Sequence, residues 1–244
     1  MVMFQTAIVS CKGGRRINQD FGDFVVTEQG GCWVIADGLG GHQSGEVASQ
    51  TAVVELINYY KVQHKLQPKI LLAEGIERSQ SKISELQSAN LLLKTMRTTI
   101  VALCCNGNSA SWAHVGDSRL YYFRNNSIKN RTKDHSVCQA LVNAGEINQE
   151  SIRNHEDRNR LYRVLGTEKE VKATTLKKEI LIQKGDAFLL CTDGFWELIL
   201  EADMEETLKT SNNESEWLEK MVKIVETRMS VNHDNFSAIS VFVS

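Results

Sequence analysis

Two apolar runs in this 244-residue chain end in the same acidic pair. Trp33-Val34-Ile35-Ala36 leads into Asp37-Gly38, and Phe188-Leu189-Leu190-Cys191-Thr192 leads into Asp193-Gly194. A buried strand is a rigid mount, so a carboxylate at its last position is held in place, and the glycine lets backbone approach a ligand closely. Asp117, within Val115-Gly116-Asp117-Ser118-Arg119, and Asp234, within Asn232-His233-Asp234-Asn235, stand at two further strand edges. Four acids gathered without partners repel one another and lose hydration, so their convergence demands a cation. Hard oxygen ligands suit Mg²⁺ or Mn²⁺, whereas zinc draws on more His or Cys. Asp-Gly is also among the commonest turn pairs, so spacing alone leaves each pair open between turn and ligand.

The elements that must hold these acids are strands first. Residues 6–10, 24–27 and 32–36 are short β-prone runs separated by glycines and polar residues. Val47, Ala48, Thr51, Val54, Leu56 and Tyr60 then recur at helical spacing, and Pro68 opens a second helix carrying Leu72, Ile76, Ile83 and Leu86. Strands are expected over 98–105, 111–115, 119–124 and 128–132, with Asn125-Asn126 as a hairpin turn. A short helix over 136–144 stops at Gly145. Residues 148–166 are polar, dense in Arg and Asn, and read as an irregular surface excursion. Strands over 174–182 and 187–191 flank the turn Lys184-Gly185-Asp186; helices follow near 195–200, 204–209 and 216–229, and 237–243 closes as a strand. Strands adjoin strands and helices gather in blocks, which favours antiparallel sheets with helices outside, an α+β fold.

Composition narrows the function. Twenty-eight Lys and Arg against thirty Asp and Glu give a net charge of −2, with no basic block to hold nucleic acid or an anionic membrane. No apolar run reaches the ~18–20 residues of a membrane span, and the start has no secretory leader, so a cytoplasmic location is expected. The six cysteines lack CxxC spacing and read as buried free thiols. One proline and no low-complexity linker give no internal boundary, hence one domain over 1–244. The stretch 38–45 lacks P-loop and GxGxxG spacing, and no HExxH or GxSxG occurs, so ATP, NAD, zincin and serine-hydrolase chemistry have no support.

In chain order the sequence carries RRINQD at 15–20, ADGLGGHQSGEVAS at 36–49, HVGDSRLY at 114–121, KDHS at 133–136, RNRLYRVLG at 158–166, CTDGFWE at 191–197 and HDNFSAISV at 233–241. This set resembles the metal-dependent protein phosphatases, the type 2C serine/threonine phosphatases, in their compact bacterial form. The resemblance implies a four-layer αββα sandwich of two antiparallel sheets flanked by helices, with a two-metal centre at one end. It implies that Asp37 bridges two Mn²⁺ or Mg²⁺ ions, that the Gly38 carbonyl ligates one, and that Asp193 and Asp234 complete the other. A water bridging the two ions would attack phosphoserine or phosphothreonine directly. Asp117 would join Asp193 at a third, weaker ion. Arg15 would clamp the substrate phosphate, Asp20 would orient metal-bound water, and Asn235 would support Asp234. Residues 148–166 would form the flap beside the site, where Arg153, Arg158, Arg160 and Arg163 either attract phosphorylated substrate or are a solvated charge run.

The family habit further implies phosphoprotein substrates and a cognate Ser/Thr kinase, and a monomer is expected. Two departures stand out: Gln19 replaces a Glu of one common version, weakening the second metal, and Leu39 replaces a His proposed as general acid. Leucine cannot donate a proton, so the donor would be metal-bound water or another residue; His42, three positions on, reads equally as a capping or structural residue and is not assigned as catalytic. The rivals are a catalytically silent domain of this type that binds a kinase or phosphoprotein, and a two-metal phosphodiesterase or nuclease, for which the charge is a handicap.

Overall fold

Alternation along each strand decides which side of a sheet a residue faces. The structure, a computed structural model, describes residues 2–40, 44–167 and 170–244. In chain order its strands are β1 (Phe4–Cys11), β2 (Asp20–Thr27), β3 (Gly30–Leu39), β4 (Arg97–Thr98), β5 (Ile100–Asn106), β6 (Ser109–Val115), β7 (Arg119–Arg124), β8 (Ser127–Arg131), β9 (Thr174–Thr175), β10 (Ile180–Leu181), β11 (Ala187–Cys191) and β12 (Phe236–Val243). One antiparallel sheet has the order β1-β12-β11-β7-β8 and the other β10-β6-β5-β3-β2, with β4 on β3 and β9 on β6.

Trp33, Ile35, Val101 and Leu103 of the second sheet meet Leu120, Phe188, Leu190 and Ile239 of the first to form the inter-sheet core. The alternate residues Cys32, Val34 and Ala36 face helices α1 (Ser44–Gln63) and α2 (Pro68–Ala89). On the far side Tyr121, Phe123, Leu189 and Ala238 face α4 (Asp193–Trp196), α5 (Glu201–Lys209) and α6 (Glu214–Arg228); α3 (Val137–Ala144) lies near the edge of that layer. The four-layer αββα sandwich follows from this parity. Each large aliphatic or phenylalanine side chain so buried contributes roughly 1.5–3 kcal/mol.

Local signals set the ends of these elements. Pro68 occupies the first position of α2, and Ser136 caps α3, its Oγ accepting from the Gln139 amide at 3.3 Å, with Gly145 at φ +77° closing it. Asn125 and Asn126, at φ +53° and +57°, make the left-handed turn between β7 and β8. All six cysteines are free.

Four expectations are corrected. The run 98–105 divides into β4 and β5, because Thr98 Oγ1 and the Thr99 amide both turn onto the Asp37 carbonyl, at 2.8 and 2.9 Å. The run 174–182 divides into β9 and β10, because Glu179 leaves the sheet. One of its oxygens accepts from the Lys69 amide at 3.0 Å, at the donor-rich start of α2, and the other from Ser109 Oγ at 2.6 Å. The helix expected over 195–200 is the four-residue turn α4, beginning at Asp193. Of the arginines of 148–166, Arg153, Arg158 and Arg163 are anchored on protein, while Arg160, its side chain 69% exposed, stays in the solvated charge run. Arg153 binds Glu201 at 2.9 Å, Arg158 binds Glu197 at 2.8 Å, Arg160 binds Asp157 at 3.0 Å, and Arg163 binds the Lys172 carbonyl at 3.1 Å.

Candidate metal centre

The parity that buries Trp33 and Ile35 between the sheets carries on to Asp37, at the open end of the same core. Register pairs Asp20 of β2 directly with Asp37 of β3. Like charges facing each other across a strand pair destabilise a sheet, so two carboxylates here need compensation. Asp20 is only 6% exposed; one oxygen accepts from Thr192 Oγ1 at 2.8 Å, and its Oδ1 is buried without a hydrogen-bond partner. Asp37 is fixed through its backbone. Its amide donates to Thr99 Oγ1 at 3.0 Å, and Thr99 Oγ1 in turn lies 2.7 Å from Ser118 Oγ. β3 runs two residues past Asp37, so the carboxylate sits within the strand and not at its end.

Asp193 lies one residue past β11, after Thr192, and opens α4, its Oδ1 accepting from the Gly194 amide at 2.6 Å. A β-carbon on Gly194 would lie 2.1 Å from the Asn235 carbonyl oxygen, and one on Gly38 would lie 2.0 Å from the Gly45 carbonyl oxygen. The glycines after both acids therefore serve contact between backbones, where the sequence suggested approach to a ligand. Through Gly194, the segment bearing Asp193 touches the segment bearing Asp234. Asn235 knits that region, its Oδ1 accepting from the Gln19 amide at 2.8 Å while Nδ2 donates to the Lys12 and Ile17 carbonyls at 2.8 and 3.0 Å. Asp117 is 4% exposed, and its carbonyl accepts from Trp196 Nε1 at 3.0 Å.

One open cavity of about 1240 Å³ gathers Arg15, Asp37, Gly38, Asp117, Asp193, Asp234 and Asn235 on its wall, with Leu39 beside them; Asp20 is paired with Asp37 on the neighbouring strand. Arg15 grips Asp234 in a two-pronged ion pair, Nε to Oδ1 at 3.0 Å and Nη2 to Oδ2 at 2.8 Å. Among the described residues the others have no ion-pair partner. Burial, with repulsion from Asp193 and Asp234, pushes the Asp20 carboxyl up to about 7, and burial with repulsion from Glu197 and Asp234 pushes Asp193 to about 7. Asp37 and Asp117 are raised well above the usual carboxylate range, by burial first and by Asp193 next.

A cavity wall of oxygen donors, with no His or Cys among its described residues, fits a hard divalent cation and not zinc. The orphaned Asp20 oxygen fits an oriented water. With Asp234 turned onto Arg15, no three acidic, His or Cys side chains among the described residues stand in metal-ligating geometry. His42 lies outside the described residues.

Several supporting residues had no sequence signal. Thr192 and the Thr99–Ser118 pair act through hydroxyl contacts. His135 takes the Gly116 amide on Nδ1 at 3.1 Å, and burial pushes its ring down to about 3, which keeps that nitrogen an acceptor beside Asp117. Arg119 and Asp134, each side chain 1% exposed, pair at 2.7 Å under Trp196, whose ring centre is 3.4 Å from the guanidinium carbon.

The family model described as protein phosphatase 2C matches residues 10–234. A serine/threonine phosphatase stp of Listeria innocua is 38% identical over 191 residues, covering 75% of this chain and 73% of that protein. The serine/threonine phosphatase PstP/Ppp of Mycobacterium tuberculosis superposes with a TM-score of 0.86 at 27% identity, over 99% of both chains. A PstP catalytic domain in complex with two manganese ions superposes at 0.84 with 26% identity, over 100% of this chain and 99% of that one. Sequence likeness across the acid-bearing strands and fold likeness across the whole length converge, and the chain belongs to the protein phosphatase 2C family.

Proposed function

We propose that this metal-dependent protein serine/threonine phosphatase works through the acids of the cavity lined by Asp37, Asp193 and Asp234. Asp37, the Gly38 carbonyl, Asp193 and Asp234 hold two Mn²⁺ or Mg²⁺ ions, and Asp117 serves a third with Asp193. When bound, such a pair supplies a water activated near neutral pH and offsets charge on the phosphoryl group. The observation that carries this assignment is the opposed pair Asp20–Asp37, desolvated and flanked by two further acids without a cationic partner.

The chain's own groups have distinct roles. Asp20, held by Thr192, orients water beside Asp37. Asn235 fixes the segment bearing Asp234 to the one bearing Gln19. Arg15 binds substrate phosphate, its paired donors matching two phosphate oxygens. Its present pair with Asp234 is solvent-exposed, the side chains being 56% and 42% accessible. Such pairs contribute roughly 0–1 kcal/mol, so the guanidinium exchanges Asp234 for phosphate at little cost and frees Asp234 to face the cavity.

Residues 148–166 serve as a flap on one catalytic domain spanning 1–244, a reading supported by Asn159 and Leu161 reaching the cavity wall. The substrates are phosphoproteins, and a cognate Ser/Thr kinase supplies them. The chain works as a monomer in the cytoplasm, in keeping with the lack, among the described residues, of a helix long and apolar enough to cross a membrane.

A metal-titrated assay on phosphothreonine and phosphotyrosine peptides, run beside Asp37→Asn, tests the proposal. Phosphothreonine turnover should require Mn²⁺ or Mg²⁺ and be lost in the variant. Turnover that survives EDTA refutes it.

A further inference from the structure

A run of three leucines, Leu91-Leu92-Leu93, forms a single 3₁₀ turn after α2, and two of them are among the most exposed apolar side chains in the molecule. Leu91 is 84% exposed and Leu92 85%. Single exposed leucines need no explanation, but two adjacent ones on a built turn do. The turn is fixed from below. Asn90 Oδ1 accepts from the Leu92 amide at 3.0 Å, the Leu93 amide donates to the Asn90 carbonyl at 2.9 Å, and the Met96 amide donates to the Leu93 carbonyl at 2.9 Å. Leu93 packs on the helix-side core, and Met96 is wholly buried. The fold thus leaves the Leu91 and Leu92 side chains largely exposed on a turn held by hydrogen bonds.

The turn stands at the rim of the acid-lined cavity, whose wall includes Leu91 and Leu92 together with Arg15, Arg16 and Ile17. The cavity's 1240 Å³ exceeds the ~300–1,000 Å³ of a small-molecule pocket, so it has room for more than one phosphorylated side chain. Its rim therefore offers positive charge from the arginines and rigid apolar surface from the leucine turn.

We infer that Leu91 and Leu92 form a subsite for an apolar side chain neighbouring the phosphorylated residue of the substrate protein. This rests on the phosphatase reading and gives its substrate class: segments in which phosphothreonine or phosphoserine lies close to a leucine-like residue. The arginines meet the phosphate, and the leucine turn meets the apolar neighbour. Continuity with the metal centre and the matching charge make a phosphoprotein segment the occupant.

The test compares phosphothreonine peptides carrying leucine or serine at the flanking positions, assayed with Mn²⁺ on the parent chain and on Leu91→Ser/Leu92→Ser. The readout is the ratio of kcat/KM between the leucine and serine peptides within each preparation, which is independent of the amount of active enzyme. The parent should favour the best leucine peptide roughly tenfold, the scale expected for burying part of one aliphatic side chain. In the double variant the ratio should collapse towards one through a rise in KM for the leucine peptide. Equal ratios in parent and variant overturn the inference. A parent that sediments as a dimer and a variant that sediments as a monomer overturn it in favour of a self-interface. Failure of the parent to hydrolyse p-nitrophenyl phosphate with Mn²⁺ instead sinks the phosphatase reading, and the subsite with it.

Discussion

Replacing Asp20 by Asn isolates the electrostatic strain at the centre of this site. The carboxyl is 6% exposed, and burial pushes it up to about 7 from an ordinary 3.8. A group raised in the folded state stabilises the fold fully below its unfolded value, and that contribution is lost as pH rises through the folded value. From about pH 5 to 7 the folded protein holds a proton that the unfolded chain has released, at ~1.4 kcal/mol per unit, so about 3 kcal/mol disappears over that interval. For a chain of this size, that corresponds to a Tm fall of roughly 6–12 °C. Asn has nearly the same shape, keeps an acceptor for Thr192 Oγ1, and stays neutral throughout. Calorimetry in EDTA across pH 5–8 should show the parent losing Tm more steeply than Asp20→Asn by about this amount. Saturating Mn²⁺ should flatten the parent's slope, because the cation takes the place of the proton as pH rises. Parallel slopes for parent and variant in EDTA would refute the argument that the acids at this strand end are compressed without a partner.

Asp193→Asn should lower kcat/KM for phosphothreonine peptides by about 100-fold or more with an unchanged circular dichroism spectrum, since the role proposed for it is ligation and not packing. Gly194→Ala drives a β-carbon to within 2.1 Å of the Asn235 carbonyl oxygen, so the Asp193 and Asp234 segments must part; kcat should fall about 100-fold while denaturant titration still reports a cooperative fold. Arg119→Met strips the partner from Asp134, whose side chain is 1% exposed, and should cost about 3–5 kcal/mol in urea unfolding; a loss below about 1 kcal/mol would mean that water reaches the pair.

The parts of this molecule that the sequence made legible are those with a local cause. The helix at Pro68, the Gly145 stop of the short helix before it, and the Asn125-Asn126 turn each follow from the backbone preferences of one or two residues, and all appear in place. The acids themselves were legible because Asp37 and Asp193 each follow an apolar run. What made them a site was not. The opposition of Asp20 and Asp37 depends on a register shared by β2 and β3, which the hairpin sets and no residue type announces. The division of 174–182 depends on Glu179 reaching the Lys69 amide, 110 residues away in sequence. The arginines of 148–166 look alike in sequence, and only the positions of Glu197 and Glu201 turn Arg153 and Arg158 into struts. Even the glycines after the acids had the right type for a different reason: Gly38 and Gly194 are small because two backbones meet there, at Gly45 and Asn235. The acidic centre is thus assembled by close backbone contacts between distant segments. Substitutions at those contacts should perturb metal binding as surely as substitutions of the carboxylates themselves.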